Sequence, residues 1–150
     1  MTSNTRPQLY EQIVTNAQEA IIFADRDGNI QLWNTGAEAM FGYTAEETLG
    51  KNLDLIVPDR QRQRHWEGYA KVMATGVTRY GRELLAVPAT RKDGTRISLE
   101  FSIVLLRDEA GAPSGVAAIM RDVTARRQQE RALQERIAKL EAKQEAEKGT

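Results

Sequence analysis

The sequence predicts an α+β domain: a five-stranded antiparallel sheet, short helices and one longer helix on one side of it, and a further helix leaving the last strand. Three observations predict it. Ile97, Leu99, Phe101, Ile103 and Leu105 alternate with Arg96, Ser98, Glu100, Ser102 and Val104, which gives a strand one apolar and one mostly polar face. Asp27-Gly28 and Asp93-Gly94 separate strand-like runs: the first marks a reversal within Asp25 to Asn29, and the second predicts a two-residue hairpin turn. Helical signals fall between the second and third strands and again after Thr124.

In chain order, residues 1–6 are polar and predicted to be disordered. From Pro7, Leu9 and Ile13 have i, i+4 spacing and predict a short helix. Ala20–Ala24 reads as a strand and Ile30–Trp33 as its hairpin partner, with Asp25 to Asn29 as the turn. Ala37, Met40 and Phe41 mark one or two helical turns. Thr44 and Glu47 form a capping box, and Gly50 stops that helix. Leu53, Leu55, Ile56 and Val57 pack a connector, and Pro58 suits the first turn of a helix that runs to about Thr75 and stops at Gly76. Tyr80–Thr90 holds the third strand, with an irregularity expected near Pro88, because proline donates nothing to a ladder. The fourth strand follows Asp93-Gly94. Asp108 to Ser114 is turn chemistry, and Gly115–Met120 is the fifth strand.

From Ala125 onward there is no Gly or Pro before Gly149. Leu133, Ile137 and Leu140 are spaced four then three, the coiled-coil step. Glu130 and Gln144 extend that seam as polar positions, so the stripe alone does not make an autonomous coiled coil. It can support a homodimer whose main interface lies elsewhere, or it can be a solvated helix.

The totals exclude several classes. A chain of 150 residues is one domain with a tail. Its 21 basic and 21 acidic residues give no net charge to attract nucleic acid, and acidic residues dilute Arg126, Arg127 and Arg131. With no cysteine there is no disulfide, thiolate metal site or cysteine nucleophile. No run approaches the ~20 apolar residues of a membrane span, and Met1 to Gln8 lacks the apolar core of a signal peptide, so a cytoplasmic location is expected. Gly36, Gly42 and Gly50 are dispersed rather than forming a phosphate loop, and one histidine supports no metal cluster, so no enzyme activity is expected.

An ordered set of motifs resembles the PAS family, the sensory modules of bacterial signalling proteins. It comprises Ala20–Ala24 with Asp27-Gly28-Asn29-Ile30, Trp33-Asn34 with Ala37, Phe41-Gly42-Tyr43 leading to Glu47, Leu49 and Gly50, Arg91 to Thr95, and Arg121-Asp122-Val123-Thr124. The resemblance covers roughly residues 8–124 and implies a PAS domain over 7–124 followed by a signalling helix over 125–150. It also implies that the inner sheet face and the helices enclose a small cavity, and that Asp122 and Thr124 couple the sheet to the output helix. Asp122 is suited to accept backbone hydrogen bonds at the corner, and Thr124 to cap the new helix through its hydroxyl. The alternative is a corner and a cap with no switching role.

His65 shares a helical stripe with Tyr69 and Val72, with Met73 near its edge, and is expected to face the core. The segment resembles the haem-binding, gas-sensing subset of the family, which implies His65 as proximal iron ligand and Phe101 and Ile103 as distal lining. That subset carries an arginine over the distal face. Arg82 is the nearby candidate, yet counting back from Asp93-Gly94 without gaps places Leu85 there. A non-haem module is therefore preferred, with a small organic ligand among Leu85, Val87, Phe101, Ile103, Ile119 and Met120, or with those residues simply filling the core. A photoactive flavin needs a cysteine that the chain lacks; a redox flavin against Trp33 and Trp66 ranks lower than packing roles for both. A downstream signalling protein is the expected partner, and a ligand-free dimerisation module is the remaining alternative.

Overall fold

The computed structural model describes residues 3–78 and 85–149, with Leu85 described in its backbone alone. Five strands form one antiparallel sheet: β1 (Ala20–Asp25), β2 (Ile30–Trp33), β3 (Leu85–Thr90), β4 (Arg96–Arg107) and β5 (Pro113–Asp122), in the order β2-β1-β5-β4-β3. Helices α1 (Arg6–Asn16), α2 (Thr35–Phe41), α3 (Ala45–Thr48), α4 (Asp59–Thr75) and α5 (Thr124–Lys148) surround it, with a 3-10 turn at Leu53–Leu55. The α+β class and the five antiparallel strands are those expected from the sequence.

Strand register assigns the two faces. Ile22, Ala24, Ile97, Leu99, Ala118 and Met120 point inward and are buried against Ala37 and Phe41 of α2 and against Leu53 and Ile56. Burying each large side chain of this set contributes about 1.5–3 kcal/mol. The outer face carries Ile21, Phe23, Leu32, Val104, Leu106 and Ile119, so it is apolar as well, and Val104 is 51% exposed. Phe23 folds its ring over Gly115, where a Cβ would lie 2.6 Å from the ring.

Several local expectations are corrected. The Asp93-Gly94 turn is not a two-residue loop. There, as at Asp27-Gly28, the backbone closes around three residues, with Gly94 N–H donating to Arg91 O and Gly28 N–H to Asp25 O, and the glycine in the left-handed region at φ 86° and 80°. The β4–β5 turn repeats this at Gly111, with φ 85°. Pro58 is the residue before α4, not within its first turn. Helix α1 begins at Arg6, because Thr5 and Gln8 form a capping box. The described part of the third strand starts at Leu85; residues 80–84 lie outside the described residues. Pro88 causes no irregularity. It pairs with Ser98 in continuous register, and both Ser98 backbone groups are engaged on the far side, with Thr124 and Val123. Nothing on Ser98 faces Pro88, so no ladder bond is lost.

Candidate functional site

Two places concentrate polar side chains where elements meet: the inward stripe of α4 and the corner at which β5 becomes α5.

Helix α4 follows Pro58 and ends at Gly76, which adopts φ 69° as a left-handed C-cap. Its inward stripe is His65, Tyr69 and Met73, spaced four and four, with Trp66 beside it. Met73 is the buried member, where the sequence placed it at the edge. Trp66 donates its indole N–H to Asp54 Oδ1 at 2.6 Å, and its ring lies over the β1–β2 turn. There a Cβ on Gly28 would come within 2.1 Å of the ring, so glycine is required for the contact as well as for the turn. The Tyr69 hydroxyl donates to the carbonyls of Ala24 (3.1 Å) and Asp25, tying α4 to the end of β1. Burial, with Asp25 and Asp27 nearby, pushes its pKa up to about 12.

His65 is half-buried. It meets the Trp66 ring edge-on at 4.6 Å and the Tyr69 ring at 5.9 Å. Its Nδ1 is shielded from solvent and has no hydrogen-bond partner. Burial lowers its pKa below the ordinary 6.5, against the attraction of Asp54, so the neutral imidazole is favoured at neutral pH. Phe101 and Ile103 are partly buried on the inner face, and the backbone of Leu85 pairs with Phe101, so all three positions belong to that face. Ile119 does not belong with them: it pairs with Ile21 and Ser102 on the outer face, because neighbours along a strand point to opposite sides. Arg82 lies outside the described residues. Both tryptophans pack. Trp33 is buried, donates its N–H to Tyr43 O at 3.0 Å and stacks at a tilt on Phe41.

At the exit corner Asp122 takes the role expected of it and Thr124 does not. Asp122 Oδ1 accepts the Thr124 backbone N–H at 2.9 Å, a local turn just before α5, and no side chain caps the helix itself. The Thr124 hydroxyl does not cap. It donates to Asp122 Oδ1 at 2.5 Å and accepts the Ser98 N–H of β4 at 2.9 Å. Val123, which is buried, donates its N–H to Ser98 O at 2.9 Å. Arg126 pairs with Glu100 on β4, and Arg121 with Glu19 before β1. The rest of α5 has no buried residue, and Leu133, Ile137 and Leu140 are exposed.

Sequence reasoning missed Asn34 as a hub. It is buried, its Oδ1 accepts the N–H of Ile21 and Ala37, and its Nδ2 donates to the carbonyls of Val14 and Glu19. An asparagine just before a helical pattern was the available signal.

A family model described as the PAS fold matches residues 14–128. The chain belongs to the PAS family. It is 30% identical over 139 residues to the sensor protein FixL of Bradyrhizobium diazoefficiens, covering 91% of this chain and 26% of FixL. It is 27% identical over 88 residues to the oxygen sensor protein DosP of Escherichia coli, covering 59% of this chain and 11% of DosP. Among solved structures, the PAS domain of a Colwellia psychrerythraea protein superposes with a TM-score of 0.71 at 21% identity, over 81% of this chain and 99% of that one. The chain spans between 11% and 26% of the length of the curated relatives it matches. Among the described residues, no helix is long and apolar enough to cross a membrane.

Proposed function

We propose that this PAS domain is a non-enzymatic, cytoplasmic sensory module that responds to a small ligand or partner at its core and transmits the change to α5, as a homodimer that addresses a downstream signalling protein. The observation that carries this reading is the Ser98–Thr124–Asp122 joint. Both backbone groups of Ser98 on β4 hold the corner, its N–H on the Thr124 hydroxyl and its carbonyl on the Val123 N–H, so a shift of β4 moves the first turn of α5. The helix has no buried residue, and its further tie to the sheet, Arg126 to Glu100, also leads to β4. The apolar outer sheet face and the exposed stripes of α1 (Leu9, Ile13) and α5 (Leu133, Ile137, Leu140) support the homodimer. Because the chain has no native cysteine, spin labels on Gln129→Cys report the distance between protomers cleanly. The expectation is a defined inter-protomer distance that Thr124→Val broadens and Ile119→Lys abolishes. A monomer at high concentration refutes the dimer, and an unchanged distribution in Thr124→Val refutes transmission through the joint.

The half-buried, neutral imidazole of His65 on the inward stripe of α4 supports a second reading, a haem-based gas sensor. The donor chemistry suits the group: burial favours the neutral imidazole of His65, and Phe101 and Ile103 are apolar residues partly buried on the inner sheet face. If bound, haem would be held by the His65 imidazole and would supply the gas-binding position, and the protein's part would be to exclude water. Hemin reconstitution tests it. A sharp Soret band that His65→Ala removes supports haem, and no band eliminates it.

A further inference from the structure

A groove of about 310 Å³ opens at the end of the sheet where α5 departs, between α2, the β3–β4 hairpin and the last residues of β5. Gly36, Ala39 and Met40 of α2 form one wall, and Met120 the other. Gly36 approaches the Glu19 carbonyl so closely that a Cβ would lie 2.2 Å from the oxygen, which fixes that wall at the backbone level. Arg91 enters from the hairpin, held there because the next residue, Lys92, donates its N–H to Phe41 O at 2.8 Å.

The charges in the groove are not equivalent. Arg121 is paired with Glu19, and Asp122 Oδ1 holds the N–H and hydroxyl of Thr124. Arg91 forms no ion pair among the described residues, and its Nε is shielded from solvent without a hydrogen-bond partner. A shielded donor on a cation is costly to leave unmade. The terminal nitrogens of the same guanidinium donate no hydrogen bond among the described residues, and they are the donors that a carboxylate in the groove engages. The methionines beside it give an apolar, adaptable surface. Glu19 and Asp122 line the same groove, so a dianion meets repulsion, whereas one uncommitted cation matches one negative charge.

We propose that this groove binds a small organic monocarboxylate, its oxygens on the Arg91 guanidinium and its apolar part on Met40 and Met120. This site lies apart from the His65 stripe. That its occupancy alters α5 rests on the transmission reading above; binding itself does not.

The test is a titration of the full chain with sodium hexanoate, followed by ¹H–¹⁵N NMR that includes arginine Nε–H resonances, with sodium phosphate and hexanol as controls. Saturable shifts are expected at Arg91 Nε–H and at the amides of Ala39, Met120 and Asp122, weakened at least about tenfold in Arg91→Gln and absent with hexanol. The site is refuted by no saturable shift with hexanoate, by shifts centred on His65 and Phe101 instead, by binding unchanged in Arg91→Gln, or by phosphate binding as tightly as hexanoate. If Arg91→Gln does not fold, the wild-type Nε–H resonance decides by itself. Binding that leaves hydrogen exchange in the first turn of α5 unchanged refutes the regulatory consequence and leaves the site standing. Loss of the site leaves the transmission reading standing.

Discussion

Replacing Thr124 by Val keeps the shape of the side chain and removes one oxygen. That oxygen accepts the Ser98 N–H at 2.9 Å and donates to Asp122 Oδ1 at 2.5 Å. The first loss leaves a part-buried backbone donor without a partner, which costs about 1–3 kcal/mol. The second loses a hydrogen bond to an exposed carboxylate, roughly 0.5 kcal/mol after solvent competes for it. The bond from Val123 N–H to Ser98 O remains, so the corner is loosened rather than released. A total of about 2 kcal/mol follows. With a urea dependence of about 2 kcal/mol per molar for a domain of this size, the unfolding midpoint falls by about 1 M. Hydrogen exchange localises the effect. The Ser98 amide should lose about tenfold or more of its protection, and Arg127 N–H, bonded to Val123 O in the first turn of α5, should follow. Thr124→Ser restores the oxygen and should stay within about 0.5 kcal/mol of wild type. A Thr124→Val variant with unchanged Ser98 protection and a midpoint within about 0.2 M would show that the hydroxyl does not hold the corner.

Gly28→Ala introduces a Cβ about 2.1 Å from the Trp66 ring at a residue with φ 80°, so a loss of about 3 kcal/mol or more is expected, together with a red shift of tryptophan emission as the ring leaves its seat. Tyr69→Phe removes the hydroxyl donor to the Ala24 and Asp25 carbonyls and should cost about 1 kcal/mol in thermal or urea unfolding. Because the Tyr69 pKa is raised from 10 to about 12, the native state holds that proton more tightly. Stability is therefore complete below pH 10 and falls between pH 10 and 12, a decline that Tyr69→Phe should flatten. For His65 the sign is opposite: its folded pKa lies below 6.5, the unfolded chain binds the proton more readily, and stability falls as pH drops below 6.5. His65→Gln should reduce that slope, and an unaltered slope would show that the ring is not held neutral by its surroundings.

The elements were legible where local chemistry dictates them. Thr44 and Glu47 announced a capping box and form one, and Gly76 announced the end of α4 and caps it. The alternation from Ile97 to Ile103 announced a two-faced strand, but it did not say that the second face is also covered by apolar side chains, from Phe23 to Ile119, because those come from other strands. The type of the Asp93-Gly94 turn was misread because an Asp-Gly pair fits both two-residue and three-residue loops. The closing bonds at Asp25–Asn29 and Arg91–Thr95 belong to the strands that meet there.

The candidate site divided in the same way. The inward stripe of α4 follows from helical spacing, so His65 and Tyr69 were placed on one side of the helix by counting residues. The Gly28–Trp66 approach, the Asp54 acceptor and the Thr124 hydroxyl's engagement with Ser98 join residues 12 to 38 positions apart, and the orphaned Nε of Arg91 depends on what packs around the hairpin. The sequence by itself determined the family, the order of elements and the two-faced character of β4 and α4, though not the face of Ile119, because capping, turn propensity and hydrophobic period act over a few residues. The tertiary structure alone decided which faces meet and which polar atoms find partners, because strand pairing and helix docking are set by packing between segments distant in the chain, and hydrogen-bond satisfaction follows only after that packing is complete.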